Sequence, residues 1–529
     1  VDINRLEMRQ VVSPYPLASR FLWVLPAAAT VLFFGFPLAT IVARGFSISG
    51  FVDTYTNTVI LNVLWFTTWQ AAASTALCLA ISLPATFVLS RYRFFADRLF
   101  LAFLTAPFLL PTVIVGAAFL AVLPRQMHYT AFAVIVAHAF FNIAVIVRVV
   151  GAQWQQVSPN LADAARTLGV TPARAFVSIT MPLLRRSLTM ACAIVALFSF
   201  TSYGVVRILG GPSRTTLETE IYTRAVFIGD LPGALALSIG QMVVLTLALL
   251  VWLKFGGRTH ALPTVQSHRI VAQRGRQRVA VVSTVLFTTV AVAAPMVALA
   301  WRSLHVSGAF SLAGWDLISS AGTLSALGNS AAFAVAAALL ATGFGLLISL
   351  AIAYGSPRYR ILEAVSALPL TVSAVTIGLG MLITFDVSPI DFRSAWMITP
   401  IAHTLIALPL VVRATLPVVS AIPDGIREAA ATLGTNSWQR FTSIDWPLVR
   451  KPAATAAALS FAVSLGEFGA TSFLTRRTSE TLPVLIARLL SRTGDTLQAQ
   501  AYALCTLFVL VSIAAIFVVD SLRAKRMGS

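Results

Sequence analysis

Apolar residues along this chain come in twelve blocks of about 20 residues, each long enough to cross a bilayer, with short polar segments between them. The first six spans are expected near 21–43, 61–89, 99–124, 131–149, 188–208 and 234–255. The second six are expected near 279–300, 326–354, 362–385, 395–414, 454–474 and 501–521. A Gly-, Arg- and Gln-containing stretch with Pro263 lies between the sets and reads as a linker. The expected organisation is a first half at 1–253, a cytoplasmic linker at 254–278 and a second half at 279–529. The fold class is an all-α polytopic membrane protein.

Polar positions carry a repeat. Leu161-Ala-Asp-Ala-Ala-Arg-Thr-Leu-Gly169, followed by Phe176, Ile179 and Pro182, returns 265 residues later. The second copy is Ile426-Arg-Glu-Ala-Ala-Ala-Thr-Leu-Gly434, followed by Phe441, Ile444 and Pro447. Asp163 thus answers to Glu428, Ala164 to Ala429 and Ala165 to Ala430. His138 and His403, Arg148 and Arg413, Ser199 and Ser464, and Gly204 and Gly469 keep the same offset. Arg91-Tyr-Arg93 returns as Arg358-Tyr-Arg360, shifted by two, and Pro107 and Gly116 return as Pro369 and Gly378. Six spans separate the copies, so both halves insert in the same direction and form a parallel repeat.

Each repeated loop (159–183 and 424–448) predicts a helix–turn–helix. Asn160 is expected to cap the first helix, with Asp163 in its first turn. Gly169 and Gly434 suit its left-handed C-terminal residue. Thr171-Pro172 and Asn436-Ser437 read as starts of the second helix. Phe176, Ile179 and Leu183 are expected on one side of it, as are Phe441, Ile444 and Leu448. Pro182 and Pro447 are expected to end it. A membrane chain with one docking element twice is built to be held by a two-fold partner.

With 58% hydrophobic and 11% charged residues, the chain is far too apolar for a soluble domain. Its net charge of +19 is not a nucleic-acid patch, because the basic residues flank apolar spans. With the N-terminus in the cytoplasm, 27 of 38 basic residues fall on the inner side, which fixes the expected orientation with both termini cytoplasmic. Both repeated loops then face the cell interior. No cleavable signal peptide is expected. Cys78, Cys192 and Cys505 fit neither a disulfide framework nor a metal spacing. His138 and His403 are expected to make helix-packing hydrogen bonds. Only Lys254, Lys451 and Lys525 are lysines and none follows a glycine, so a phosphate-binding loop is absent and no enzyme is expected.

The repeated loop resembles the "EAA" loop of ATP-binding-cassette importer permeases. The second copy matches at Glu428, Ala429, Ala430, Gly434, Ile444 and Pro447, while the first carries Asp163 for Glu. The resemblance implies a type I importer (MetI-like) permease fold in a bacterial inner membrane. It also implies two copies of an ATPase subunit that hold the ATP and Mg, and an extracytoplasmic solute-binding protein. Gly210–Tyr222, Ser464–Gly469 and Thr481–Pro483 resemble the fused thiamine permeases, and the ferric iron permeases carry related versions. Thiamine is therefore the expected cargo, with ferric iron the alternative. An ion-coupled secondary transporter is the competing class and leaves the paired loops unexplained.

Ser199, Ser202, Gly204, Ser464, Glu467 and Gly469 are candidates for the translocation pathway. Glu467 is the costliest of them, being a carboxylate at membrane depth whose alternative reading is pairing with an Arg from another span. The outer loops carry Asp53, Glu218, Glu220, Asp230, Asp316, Asp386, Asp391, Glu480 and Asp495, expected to be solvated. Thr215–Tyr222 and Leu482–Leu490 are expected as short outer helices.

Overall fold

The computed structural model describes residues 24–255, 269–272, 275–354, 359, 361–386 and 395–525. Arg5, Arg9, Arg20, Arg358, Arg360, Asp391 and most of the linker lie outside the described residues. In chain order the helices begin with α1 (Val24–Gly45), α2 (Ile48–Thr56) and α3 (Thr58–Arg91). They continue with α4 (Asp97–Leu109), α5 (Thr112–Val122), α6 (Ala131–Trp154), α7 (Pro159–Thr167) and α8 (Met181–Phe200). After α9 (Gly204–Leu209) and α10 (Leu217–Tyr222) comes α11 (Leu231–Phe255). The second set is α12 (Gly275–Ser303), α13 (Ala321–Tyr354), α14 (Ile361–Thr371), α15 (Ala374–Thr384) and α16 (Ile398–Ser420). It closes with α17 (Asp424–Thr432), α18 (Trp446–Leu465), α19 (Thr471–Leu474), α20 (Leu482–Leu490) and α21 (Asp495–Lys525).

Among the described residues, eight helices are long and apolar enough to cross a membrane, or ten if each bent pair is one span. These ten fall on ten of the twelve expected spans. The other two expected spans fall on α18, which carries Arg450 and Lys451 near its start, and on α21. The third and ninth spans differ from straight rods: α4 meets α5 at 104° and α14 meets α15 at 97°. Pro107 and Pro369 lie in the 3-10 turns that precede the two breaks. A proline removes a backbone donor there and turns the chain out of the helix. Apolar side chains such as Val243, Leu247 and Val251 remain exposed along α11, as lipid-facing positions must.

The described chain packs as two compact units, and these exchange helices relative to the sequence repeats. One unit comprises Val1–Arg44 with Gly328–Ser479. In it α16 packs along α18, and α1 lies on α15, where Phe33 meets Phe385 with ring centroids 5.6 Å apart. Arg44 Nη1 donates to the Ile383 carbonyl at 3.3 Å in the same contact. The other unit comprises Gly45–Leu327 with Glu480–Ser529. Its centre is α3, α6 and α8, with α12 packed on α5 and α21. Two short strands, β1 (Tyr92–Arg93) and β2 (Ile270–Val271), pair in parallel at its edge. Asp97 and Arg269 form an ion pair at 2.8 Å beside them. A second pair, β3 (His305–Val306) and β4 (Ala309–Phe310), is an antiparallel hairpin.

Each unit repeats one close helix crossing. A Cβ added at Gly116 of α5 would come within 2.8 Å of Ile208 on α9. One added at Gly378 of α15 would come within 2.7 Å of the Ala470 backbone, immediately before α19. Only a residue without a side chain allows such an approach.

Candidate functional site

The repeated loops fold alike, each within its own unit. α7 and α17 end on Gly169 and Gly434, whose φ angles are +78° and +79°. Val170 N donates to the Ala165 carbonyl at 3.1 Å, and Thr435 N to the Ala430 carbonyl at 3.3 Å. These six-to-one bonds are Schellman caps, which require the left-handed residue that glycine supplies. Ala165 is buried beneath the first helix, and Ala430 is partly buried beneath the second. A larger side chain at either place would lift the helix off its support.

The next helix starts as the sequence implies. Thr171 Oγ1 accepts from Arg174 N at 3.4 Å, ahead of the turn Pro172–Ala175. In the second copy Asn436 and Gln439 form a reciprocal pair. Gln439 N donates to Asn436 Oδ1 at 2.8 Å, and Asn436 N to Gln439 Oε1 at 2.9 Å. At the other end of the loop, α7 begins at Pro159 and so includes Asn160. Asn160 is therefore not the cap: proline suits a first helical position and starts the helix one residue earlier.

Two further corrections share one cause. Phe176–Thr180 and Phe441–Asp445 each form a π-turn, at the same offset as the rest of the repeat. A π-turn holds one extra residue and rotates the succeeding turns of the helix. Phe176, Ile179, Phe441 and Ile444 are half-buried as expected, but Leu183 and Leu448 are exposed; Leu184 and Val449 take the buried face instead. Pro182 and Pro447 also do not end the helix. They lie in the first turns of α8 and α18, and the helix runs on from Ala173 to Phe200 in the first copy. The wider turn falls where the missing proline donor would otherwise break the ladder.

Both α7 and α17 present the same apolar face outward. Leu161 is 47% exposed and Ile426 48%, while Leu168 and Leu433 are both 84% exposed. Glu428 is exposed beside them, as are Gly169 and Gly434. Asp163 holds the equivalent position on α7, its side chain outside the described ones. These exposed apolar side chains on a polar loop, in duplicate, lie outside either core.

The six pathway candidates are all buried within their units. Gln70 Nε2 donates to the Ser199 carbonyl at 2.9 Å, and Gln70 Oε1 lies 3.0 Å from His138 Nδ1. Ser202 is buried in the turn before α9. Gly204 lies against Thr112, and Gly469 against Ala374 and Val375. Glu467 stands two residues past the end of α18, not within a span. Its carboxylate accepts from Ala470 N at 2.8 Å and Thr471 N at 2.9 Å, and from the Thr471 hydroxyl. His403 Nε2 is 3.2 Å from Glu467 Oε2, and Ser464 Oγ is 2.6 Å from His403 Nδ1. Both ring nitrogens of His403 are thus engaged, Nδ1 with Ser464 and Nε2 with Glu467 and the Thr471 hydroxyl at 2.8 Å. The partner of Glu467 is thus a histidine and the opening turn of α19, where a carboxylate is favoured, in place of the arginine considered from sequence.

The outer helices form where expected, as α10 and α20. Their acids are not all solvated. Glu218 is fully buried and accepts from Gln241 at 2.8 Å. Glu220 is buried and pairs with Arg224 at 2.8 Å, and Arg224 reaches Asp230 at 2.6 Å. Glu480 makes a two-pronged pair with Arg488 at 2.8 Å. Missing from the sequence reading was the partner of Glu218: Gln241 is a lone amide in an apolar span, and that was the available signal. Arg207 stacks over the Tyr222 and Phe227 rings at 5.7 and 5.3 Å, burying its stem as a membrane-edge arginine does.

Broken spans, glycine crossings and a pair of capped loops define a polytopic helical transport protein built from two like parts. The chain belongs to the family described as "Binding-protein-dependent transport system inner membrane component", which matches residues 79–255 and 341–528. It is thus an inner membrane transport subunit of systems that work with a binding protein and an ATPase. It is 27% identical to the thiamine transport system permease protein of Brucella abortus over 505 residues, covering 91% of this chain and 90% of that protein. With the thiamine transport system permease protein of Haemophilus influenzae it shares 26% identity over 488 residues, 86% of this chain and 88% of that one. The sulfate transport system permease protein of Escherichia coli is 25% identical over 254 residues, which is 46% of this chain but 91% of that protein. Nearly the whole of that protein therefore aligns with about half of this one.

Proposed function

We propose that this chain is the permease subunit of an importer that carries thiamine across the inner membrane, driven by two copies of a separate ATPase. The observation that carries the docking role is the duplicated loop: two Schellman-capped helices with matching exposed leucines, preceding continuous spans. Asp163, Ala164, Ala165, Gly169, Phe176, Ile179 and Pro182 form one handle. Glu428, Ala429, Ala430, Gly434, Phe441, Ile444 and Pro447 form the other. ATP and Mg belong to the ATPase; the chain has no Gly-Lys-Ser/Thr loop to hold them. Both termini and both handles face the cytoplasm, in keeping with the basic-residue bias.

Closure of the ATPases on ATP moves both handles. Because each handle joins its span through an unbroken π-containing helix, the movement tilts the packed unit and alternates access to the pathway. The turns at Ser199–Gly204 and Ser464–Gly469 interrupt apolar helices with polar groups and are where a pathway reaches each unit. Thiamine is favoured over ferric iron because two thiamine permeases align along about nine-tenths of both chains. Two experiments test the reading. Replacing Asp163 and Glu428 together by Lys is expected to abolish copurification of the ATPase; retention of a fully stimulated ATPase sinks the docking role. Titrating the partner binding protein is expected to give tight thiamine binding; ferric binding without thiamine binding reverses the cargo.

A further inference from the structure

The two handles are fastened to their units by different chemistry. Among the described side chains of the first, the fastening is aromatic. Phe87 at the end of α3 meets Trp154 at the end of α6 with centroids 5.6 Å apart, and Trp154 meets Phe176 at 5.9 Å. In the second, Val419 replaces Trp154, and Tyr354 stands where the shifted register of the Arg-Tyr-Arg repeat places Phe87. There Arg427, on the docking helix, is 1% exposed and is the largest fully buried side chain among the described residues. Its Nη2 and Nε donate to Asp445 Oδ1 at 2.7 and 3.0 Å. Its guanidinium lies over the Tyr354 ring, 3.7 Å from the centroid. Arg427 Nη2 also donates to the Tyr354 hydroxyl, whose proton faces Asp445 Oδ1 at 3.2 Å and the Val419 carbonyl at 3.3 Å. The cluster joins α13, α16, α17 and the π-turn ahead of α18. The corresponding positions of the first copy are Ala162 and Thr180, so nothing charged stands there.

We propose that Arg427, Asp445 and Tyr354 are positioning residues that clasp the second docking helix at one angle to α18, making it the stiffer of two unequal levers. A guanidinium stacked on a ring, with two N–H groups converging on one carboxylate oxygen, accepts a narrow range of orientations. Turning α17 by a single residue would carry Arg427 out and break a buried ion pair while the Asp445 carboxylate stays buried, which is strongly unfavourable. The clasp therefore holds or opens as a whole. Ring packing in the first copy is non-directional and allows sliding. The docked ATPase then transmits its movement through the second handle with less slack.

This inference rests on the docking role proposed above, and the readouts keep the two apart: loss of docking removes the ATPase, whereas loss of the clasp keeps it and lowers its coupling. The full chain with its ATPase is reconstituted in vesicles, and ATP hydrolysis is measured with thiamine-loaded binding protein. Two variants are compared with the parent. Tyr354→Phe keeps the ring and removes the hydroxyl. Arg427→Met with Asp445→Leu fills the same space without charge, an exchange that buried ion pairs tolerate in stability. Both are expected to copurify the ATPase in parental amounts and to lose about two- to thirtyfold in stimulated kcat, with KM for ATP unchanged and Tyr354→Phe at the smaller end. Parental kcat in the doubly apolar variant overturns the proposal. Should that variant not assemble, parental kcat in Tyr354→Phe overturns it.

Discussion

Gly434 allows a test in which backbone strain is separated from crowding. Its φ is +79°, and no atom lies within 4 Å of where a Cβ would be. A substitution there meets no neighbour, so its whole effect is conformational. An L-residue in the left-handed region costs about 1–2 kcal/mol, less for Asn, whose short polar chain tolerates it. The free loop relieves that strain by unwinding its exposed last turn. On the docking role proposed above, a docked loop cannot, because Leu433 is then held in the partner. The cost is therefore felt as lost affinity for the ATPase, roughly five- to thirtyfold for Gly434→Ala at 1.4 kcal/mol per factor of ten. Gly434→Asn should lose less and Gly434→Val more, since β-branching adds to the strain. Gly169 has the same geometry at φ +78° with the same empty surroundings. Making both alanine substitutions multiplies the factors, as expected for sites without shared neighbours. Surface-immobilised ATPase titrated with detergent-solubilised protein measures the series. Equal affinity for parent and Gly434→Ala, or an order in which Asn is worse than Ala, refutes the reasoning.

Three other outcomes rest on named contacts. Gly378→Ala is expected to lower thermal stability by about 1–3 kcal/mol, more than Gly343→Ala on α13, because its Cβ would press on the Ala470 backbone while that of Gly343 meets no atom within 4 Å; fluorescence-monitored melting of the two variants checks the order. Glu467→Gln is expected to cost about 2 kcal/mol of stability by turning an acceptor of two backbone bonds into a half-donor, while the protein that remains folded takes up thiamine with parental KM; a changed KM at parental stability would show that the carboxylate meets cargo. Burial pushes the Tyr55 hydroxyl, on α2, up to about 12. A folded-state value above the unfolded one stabilises fully below pH 10 and is lost as pH rises through 12. The parent should thus lose stability over that interval, and Tyr55→Phe should lose less, in denaturant melts at graded alkaline pH.

Much of this architecture is legible because its signals are local. Gly169, Gly434, Thr171 and Asn436 act through backbone bonds within a few residues, and so the turn in the middle of each loop is legible. What the sequence hides is non-local or register-dependent. The runs 99–124 and 362–385 are evenly apolar, and hydropathy does not register the bends at their prolines. The π-turns shift burial from Leu183 to Leu184 and from Leu448 to Val449, a one-residue slip that composition cannot show. Glu218 looked solvated because Gln241, its partner, is 23 positions away. Arg427 looked like one more basic loop residue; only the fold brings Asp445 and Tyr354 around it.

The placement of α1 bears on how the protein is made. Pro37 and Ile41 pack on Gly380, and Phe33 on Phe385, all within one unit. Translation at about 5–20 residues per second leaves roughly 20–70 s between the emergence of these partners. Through that interval the first helix lacks these partners. Its freedom from charge between Val24 and Ala43 suits this long unaccompanied residence. A polar substitution on its Phe33 face should therefore harm biogenesis before it harms transport.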